Sequence, residues 1–230
     1  MFFRSILFNI IFYISILFFG IAFLPLLISK KYTSSVVRLW ANFILICLKK
    51  ILNIQINFDN NYINENEGMI IAANHKSVFD TIYFLAEYKK VIYIVKKELK
   101  YLPIYGWYAI RMGNIFLDRK KRFESIKKLS NNIETMVKKG FKIVIFPEGS
   151  RQKKNRIGEI KPGIFLIQNN LKKPIYPVYI NSADVWPKDT WKKYSNNILL
   201  KALKPIEYGL DKNKFKNKLK KVFERMDNGY

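Results

Sequence analysis

The chain has 230 residues, a net charge of +24 from Lys+Arg 41 against Asp+Glu 17, one cysteine and one histidine. A single core is the expectation at this length, and a half-hydrophobic composition excludes disorder as the main state. One thiol and one imidazole exclude a disulfide framework and a zinc site of the usual kind, while the basic excess points to nucleic acid, an anionic membrane surface or a phosphorylated substrate.

From Ser5 to Ser29 no position is charged; Arg4 precedes the run, and Lys30 and Lys31 follow it. A helix of about 20 apolar residues crosses the hydrocarbon core of a bilayer. Gly20 and Pro25 interrupt the run, which membrane helices tolerate. It exceeds the apolar part of a secretory signal, so it is read as retained. A second apolar run, Leu39 to Leu48, lies between Thr33-Ser34-Ser35 and Lys49-Lys50 and is too short to span. Positive charge on both flanks of the first run leaves its orientation open. Two arrangements remain: a helical pair entering and leaving by one face, or one crossing followed by a core helix. The expected division is an apolar, membrane-embedded helical pair at residues 1–52 and an α/β unit at residues 53–230.

Beyond Leu52, β-branched and aromatic runs alternate with helical patterns. Strands are predicted at Ile54–Phe58, Met69–Ala73, Val91–Val95, Asn114–Leu117, Lys142–Phe146, Ile175–Ile180 and Asn197–Ala202. Helices are predicted at Val78–Tyr88, Leu99–Arg111, Lys120–Lys139 and Ile160–Asn170. This alternation argues for an α/β fold with a central, largely parallel sheet of roughly seven strands flanked by helices. The Asn- and Lys-rich segment Asp211–Tyr230 carries Leu210, Phe215, Leu219, Val222 and Phe223 at helical spacing and reads as an amphipathic helix.

His75 sits in Ala73-Asn74-His75-Lys76-Ser77-Val78-Phe79-Asp80, where a strand gives way to a helix. Ligands collect at the carboxyl ends of parallel strands, and histidine exchanges protons near neutrality. On a continuous helix five residues would put Asp80 about 140° away from His75. If His75 precedes the helix, a turn can fold it back so that Asp80 accepts the imidazole N–H and stabilises the imidazolium. Ser77 and Asp80 also fit a helix-capping pair, and a loop histidine is often only that.

The second segment is Phe146-Pro147-Glu148-Gly149-Ser150-Arg151, a tight turn after a buried-looking strand. It presents Arg151, whose guanidinium forks onto phosphate oxygens; an ordinary charged turn is the alternative. Gly113 to Arg119 and Ile175 to Ile180 form two further strand segments, with core packing the plainer role for the latter. Lys96 and Lys161 could add charge to the same rim.

Taken in order, Asn74-His75 with Asp80, Gly113 to Arg119, Phe146 to Arg151 and Ile175 to Ile180 resemble the four blocks of the glycerolipid acyltransferase family. The similarity is greatest to the bacterial lysophosphatidate-acylating type. Ser150 stands where that family usually has threonine, and the hydroxyl is kept. The resemblance implies acyl transfer from acyl-CoA or acyl-carrier protein, as co-substrate and not cofactor, to the free hydroxyl of 1-acyl-glycerol 3-phosphate. It implies His75 as general base, Asp80 as its support, and Lys96, Arg119, Glu148, Gly149, Ser150 and Arg151 as substrate-binding residues. No metal is implied. Membrane lipids, lysophosphatidate and the acyl thioester are the expected partners, at the cytoplasmic face of a bacterial inner membrane. Cys47, the only thiol, lies in the apolar N-terminal run far from His75, so a ternary complex without an acyl-enzyme is expected. No nucleic-acid motif appears; the charge alone would give only salt-sensitive, non-specific DNA binding.

Overall fold

The computed structural model describes residues 1–118 and 124–229. Two apolar helices open the chain: α1 (Phe2–Ala22) and α2 (Lys30–Leu52). A short 3₁₀ segment, Leu24–Ile28, joins them, with Pro25 in its first turn, where a missing N–H costs nothing. The second helix is far longer than its apolar run. It starts at Lys30, where the Thr33 hydroxyl donates back to Ser29 O at 2.8 Å, and ends at Asn53 in the left-handed conformation.

The two helices pack on each other through Phe12 against Trp40, Phe19 against Phe43, and a 3.1 Å hydrogen bond from Trp40 Nε1 to Ser15 Oγ. They also share the core of the remaining chain: Phe8, Phe12, Ala41, Ile44, Leu48 and Leu52 cluster with Ile71, Ala73 and Phe79. Polar bonds reinforce this seating. Asn9 Nδ2 donates to Trp191 O at 2.8 Å, and Lys193 N donates to Ser5 Oγ at 3.0 Å. One face of α1 is therefore fastened to the body, while Phe3, Ile10, Ile14, Phe18 and Ile21 on the other are exposed.

Among the described residues the sheet has seven strands: β1 (Ile56–Asp59), β2 (Met69–Ala73), β3 (Val91–Lys96), β4 (Ile115–Leu117), β5 (Lys142–Ile145), β6 (Ile175–Ile180) and β7 (Ile198–Ala202). Their spatial order is β1-β7-β6-β2-β5-β3-β4, and only the β6–β7 pairing is antiparallel. All seven predicted strands are present, with ends shifted by at most a few residues. The central β2 is buried along its whole length, as its unbroken apolar run requires when both sheet faces are covered. One face carries α1, α2 and α3 (Phe79–Glu87); the other carries α5 (Glu124–Lys138), α6 (Gly163–Leu171) and α7 (Lys212–Asp227).

The helix expected over Leu99–Arg111 is broken into a 3₁₀ segment, Lys97–Tyr101, and α4 (Tyr105–Met112). Pro103 is the cause: it disfavours helical backbone at Leu102, and Ile104 follows with φ 62°. Gly106 lets the chain fold back there, since a Cβ would lie 2.1 Å from Lys100 O. The start of the helix expected over Lys120–Lys139 lies outside the described residues. Asp211 caps α7, accepting from Asn213 N and Lys214 N at 3.0 and 2.9 Å.

Candidate active site

The β2–α3 loop turns back on itself around one carboxylate. Asp80 is the second residue of α3 and fully buried. Its Oδ2 accepts from His75 Nδ1 at 2.9 Å, Lys76 N at 2.7 Å and Ser77 N at 2.8 Å. Ser182, just beyond β6, donates its hydroxyl to Oδ1. Four donors converge on one side chain, an acceptor load that suits an ionised carboxylate. The carboxylate then leaves the proton of His75 on Nδ1 and the lone pair on Nε2. The capping role and the histidine-supporting role weighed from sequence are thus both realised by the same oxygen, because the loop precedes the helix and wraps its first turn.

Other contacts hold the imidazole from the side. The ring of His75 stacks on Phe146 at 4.0 Å between centroids and 16° between planes, and Phe146 stacks in turn on buried Tyr93. Asn74 Oδ1 and Nδ2 pair with the N–H and O of Ile180 at 2.7 and 2.9 Å, tying the loop to β6. The His75 side chain is 17 % exposed.

Strands β2 and β5 are adjacent and parallel, so the loops at their carboxyl ends meet. Gly149 takes φ +71°, a left-handed conformation that glycine adopts without strain, and turns the chain there. Gln152 N donates to His75 O at 2.7 Å, and His75 N donates to Glu148 Oε1 at 2.9 Å. Glu148 is buried, and its other oxygen accepts from Gly158 N at 2.6 Å. Burial pushes its carboxyl above the usual range, partly offset by these bonds. Both its oxygens hold backbone, so Glu148 braces the two loops.

A cavity of about 1570 Å³ opens at this edge. Its polar end is lined by His75, Lys96, Gly149, Ser150, Arg151 and Lys161, joined by Lys188, whose Nζ donates to Arg151 O at 2.9 Å. Its apolar part runs among α1, α2, α3 and α4, past Phe12, Trp40, Val78, Leu85 and Tyr108. Gly20 lets α1 approach α4 along this wall: a Cβ there would lie 2.5 Å from Ile104 Cγ2, and Tyr108 OH donates to Phe19 O at 3.2 Å. Of the expected site residues, His75, Lys96, Gly149, Ser150 and Arg151 reach one cavity, Asp80 and Glu148 stand behind it, and Arg119 lies outside the described residues. Phe146 and Ser182 were not singled out from the sequence. Phe146 belongs to a quoted segment, but only the fold puts its ring on His75, and no spacing links Ser182 to Asp80.

A family model described as Acyltransferase matches residues 55–181, more than half of the chain, and the chain belongs to that family. Curated relatives include a 1-acyl-sn-glycerol-3-phosphate acyltransferase of Pseudomonas aeruginosa, 30% identical over 129 residues (56% of this chain, 50% of the relative). A protein of the same name from Saccharomyces cerevisiae is 28% identical over 190 residues (78% of this chain, 62% of the relative). The chain spans about half to three-fifths of the length of these relatives. Among solved structures, the 1-acyl-sn-glycerophosphate (LPA) acyltransferase PlsC of Thermotoga maritima shares the fold, with a TM-score of 0.77 at 20% identity over 98% of this chain and 95% of that one.

Proposed function

We propose that the protein transfers an acyl group from an acyl thioester to the free hydroxyl of 1-acyl-glycerol 3-phosphate, forming phosphatidic acid. One observation carries this reading: an imidazole backed by a buried carboxylate and a guanidinium line the same cavity, whose depth is apolar. Family membership and the names of the curated relatives support it.

In this mechanism His75 Nε2 takes the proton of the acceptor hydroxyl as its oxygen attacks the thioester carbonyl. Asp80 stabilises the imidazolium that forms. The tetrahedral intermediate collapses with cleavage of the C–S bond, and the proton on His75 passes to the departing thiolate. Arg151 forks onto the acceptor phosphate, with Lys96, Lys161 and Lys188 adding positive charge. The acyl chain occupies the apolar part of the cavity.

The protein acts at a membrane, in this proposal, with α1 lying in the lipid surface. Its inner face is bonded to the body through Ser5 and Asn9, and its outer face is apolar, which favours entry and exit by one side. Basic residues near anionic lipid add about 1 kcal/mol each. The cytoplasmic leaflet is the proposed location.

The test is acyl transfer by the detergent-purified protein, with acyl-CoA and acyl-carrier protein each offered to lysophosphatidate, glycerol 3-phosphate and a lysophospholipid. Release of thiol with formation of phosphatidic acid supports the reading. Transfer only to an acceptor without a phosphomonoester refutes it.

A further inference from the structure

Between His75 and Ser77 stands a lysine that the proposed chemistry does not use. Lys76 is 2 % exposed and does not line the cavity. Its ammonium pairs with Asp227 Oδ1, on the last residue of α7 and 151 positions away in the chain. Tyr179 of β6 donates its hydroxyl to the same oxygen at 2.8 Å, and its ring lies 5.7 Å from the ammonium. Burial and the neighbouring Asp227 hold the Tyr179 phenol well above its ordinary range, so it stays a donor.

The direction of this contact matters. Tyr179 and the inward residues of α7, Phe215, Leu219 and Phe223, belong to the core on one face of the sheet. Phe79, at the start of α3, belongs to the core on the other face. Lys76 is thus held from two sides. Its side chain is anchored to α7 in one layer, and its N–H is bonded to Asp80 Oδ2, the atom that also accepts from His75. An apolar pair of similar volume often gives equal or greater stability than a buried ion pair, so stability alone does not account for this one. What the charges add is direction: the ammonium of Lys76 is drawn to Asp227 while the N–H of the same residue is held by Asp80.

We propose that Asp227 is a positioning residue for acyl transfer, acting through Lys76 to hold the loop in which His75 meets Asp80. The inference rests on the functional reading above, but its test includes a measurement independent of activity. His75 is the only histidine in the chain, so protein with isotope-labelled histidine reports one imidazole, its tautomer and its titration by NMR.

Asp227→Asn and the apolar pair Lys76→Met with Asp227→Leu are compared with the parent protein. The expected result is a loss in kcat of about ten- to hundredfold with KM for both substrates little changed, as misplacement of a reacting group produces. The His75 resonance is expected to show a changed titration or tautomer mixture in both variants, measured well below each variant's melting temperature, since Asp227→Leu also takes the acceptor from the Tyr179 hydroxyl. Asp227→Glu restores part of kcat. An apolar-pair variant with the parent's kcat and the parent's His75 spectrum overturns the proposal. If Asp227→Asn does not fold, the apolar pair decides by the same measurements. A parent protein inactive on every acceptor would refute the functional reading, and the His75 spectra would still decide the positioning role.

Discussion

Replacing Asp80 by asparagine removes one charge at nearly constant shape. The amide oxygen can keep the three donors at the Oδ2 position, His75 Nδ1, Lys76 N and Ser77 N, while the amide N–H₂ faces a Ser182 hydroxyl able to rotate and accept. The loop should therefore survive. What disappears is the attraction between a carboxylate and the imidazolium formed when His75 takes the proton. Opposite charges about 4 Å apart at an effective dielectric near 20 attract by about 4 kcal/mol. At about 1.4 kcal/mol per decade, the loss is about 10³ in kcat. Initial rates of thiol release, measured with purified Asp80→Asn protein across a range of lysophosphatidate, should show this fall with KM nearly unchanged and the melting temperature within a few degrees of the parent. Asp80→Ala should melt much lower, because it strands three buried N–H groups. An Asp80→Asn enzyme within tenfold of the parent's kcat would refute the assigned role of the carboxylate.

Arg151→Ala should raise KM for lysophosphatidate by about ten- to hundredfold, in keeping with the roughly 1.5–3 kcal/mol of a charge-assisted bond; steady-state kinetics should find KM for the acyl donor little altered. Phe146→Leu keeps most of the volume but removes the ring stacked on His75, and kcat should drop about fivefold, consistent with about 1 kcal/mol for such a pair. Lys193 is buried over the Trp186 ring with its Nζ bonded to Trp191 O, and burial lowers its amine from 10.5 to about 8. Between those values the unfolded chain binds more protons than the folded one, so stability should rise as pH climbs from about 8 towards 10.5. Lys193→Met should abolish that rise and add about 1–2 kcal/mol at neutral pH, after allowance for screening by solvent, as read by denaturant titration across pH.

Much of this protein is legible along the chain. Strands such as Met69–Ala73 and Ile175–Ile180 are runs of β-branched and apolar residues bounded by polar ones, and a strand buried on both faces has little other way to be written. His75, Asp80 and Arg151 could be singled out because each lies at or just beyond a strand end, where parallel sheets leave side chains facing a crevice. Strand order was not legible. Local patterning carries no record that β5 inserts between β2 and β3, and that insertion brings Arg151 beside His75. The length of α2 was hidden as well, since Thr33 and Val36 lie ahead of its apolar run and are buried only in the folded protein.

Periodicity and residue chemistry are local properties, so the sequence alone determined the strands, most of the helices, the apolar character of α1 and the groups able to exchange a proton or hold a phosphate. Partners far apart in the chain are chosen by packing. Only the tertiary structure decided that Ser182 shares Asp80, that Glu148 turns inward to brace two loops, and that α1 lies fastened to the body it accompanies. Each of those contacts exists because a buried polar atom must find a partner, and which partner lies within reach depends on how the layers stack.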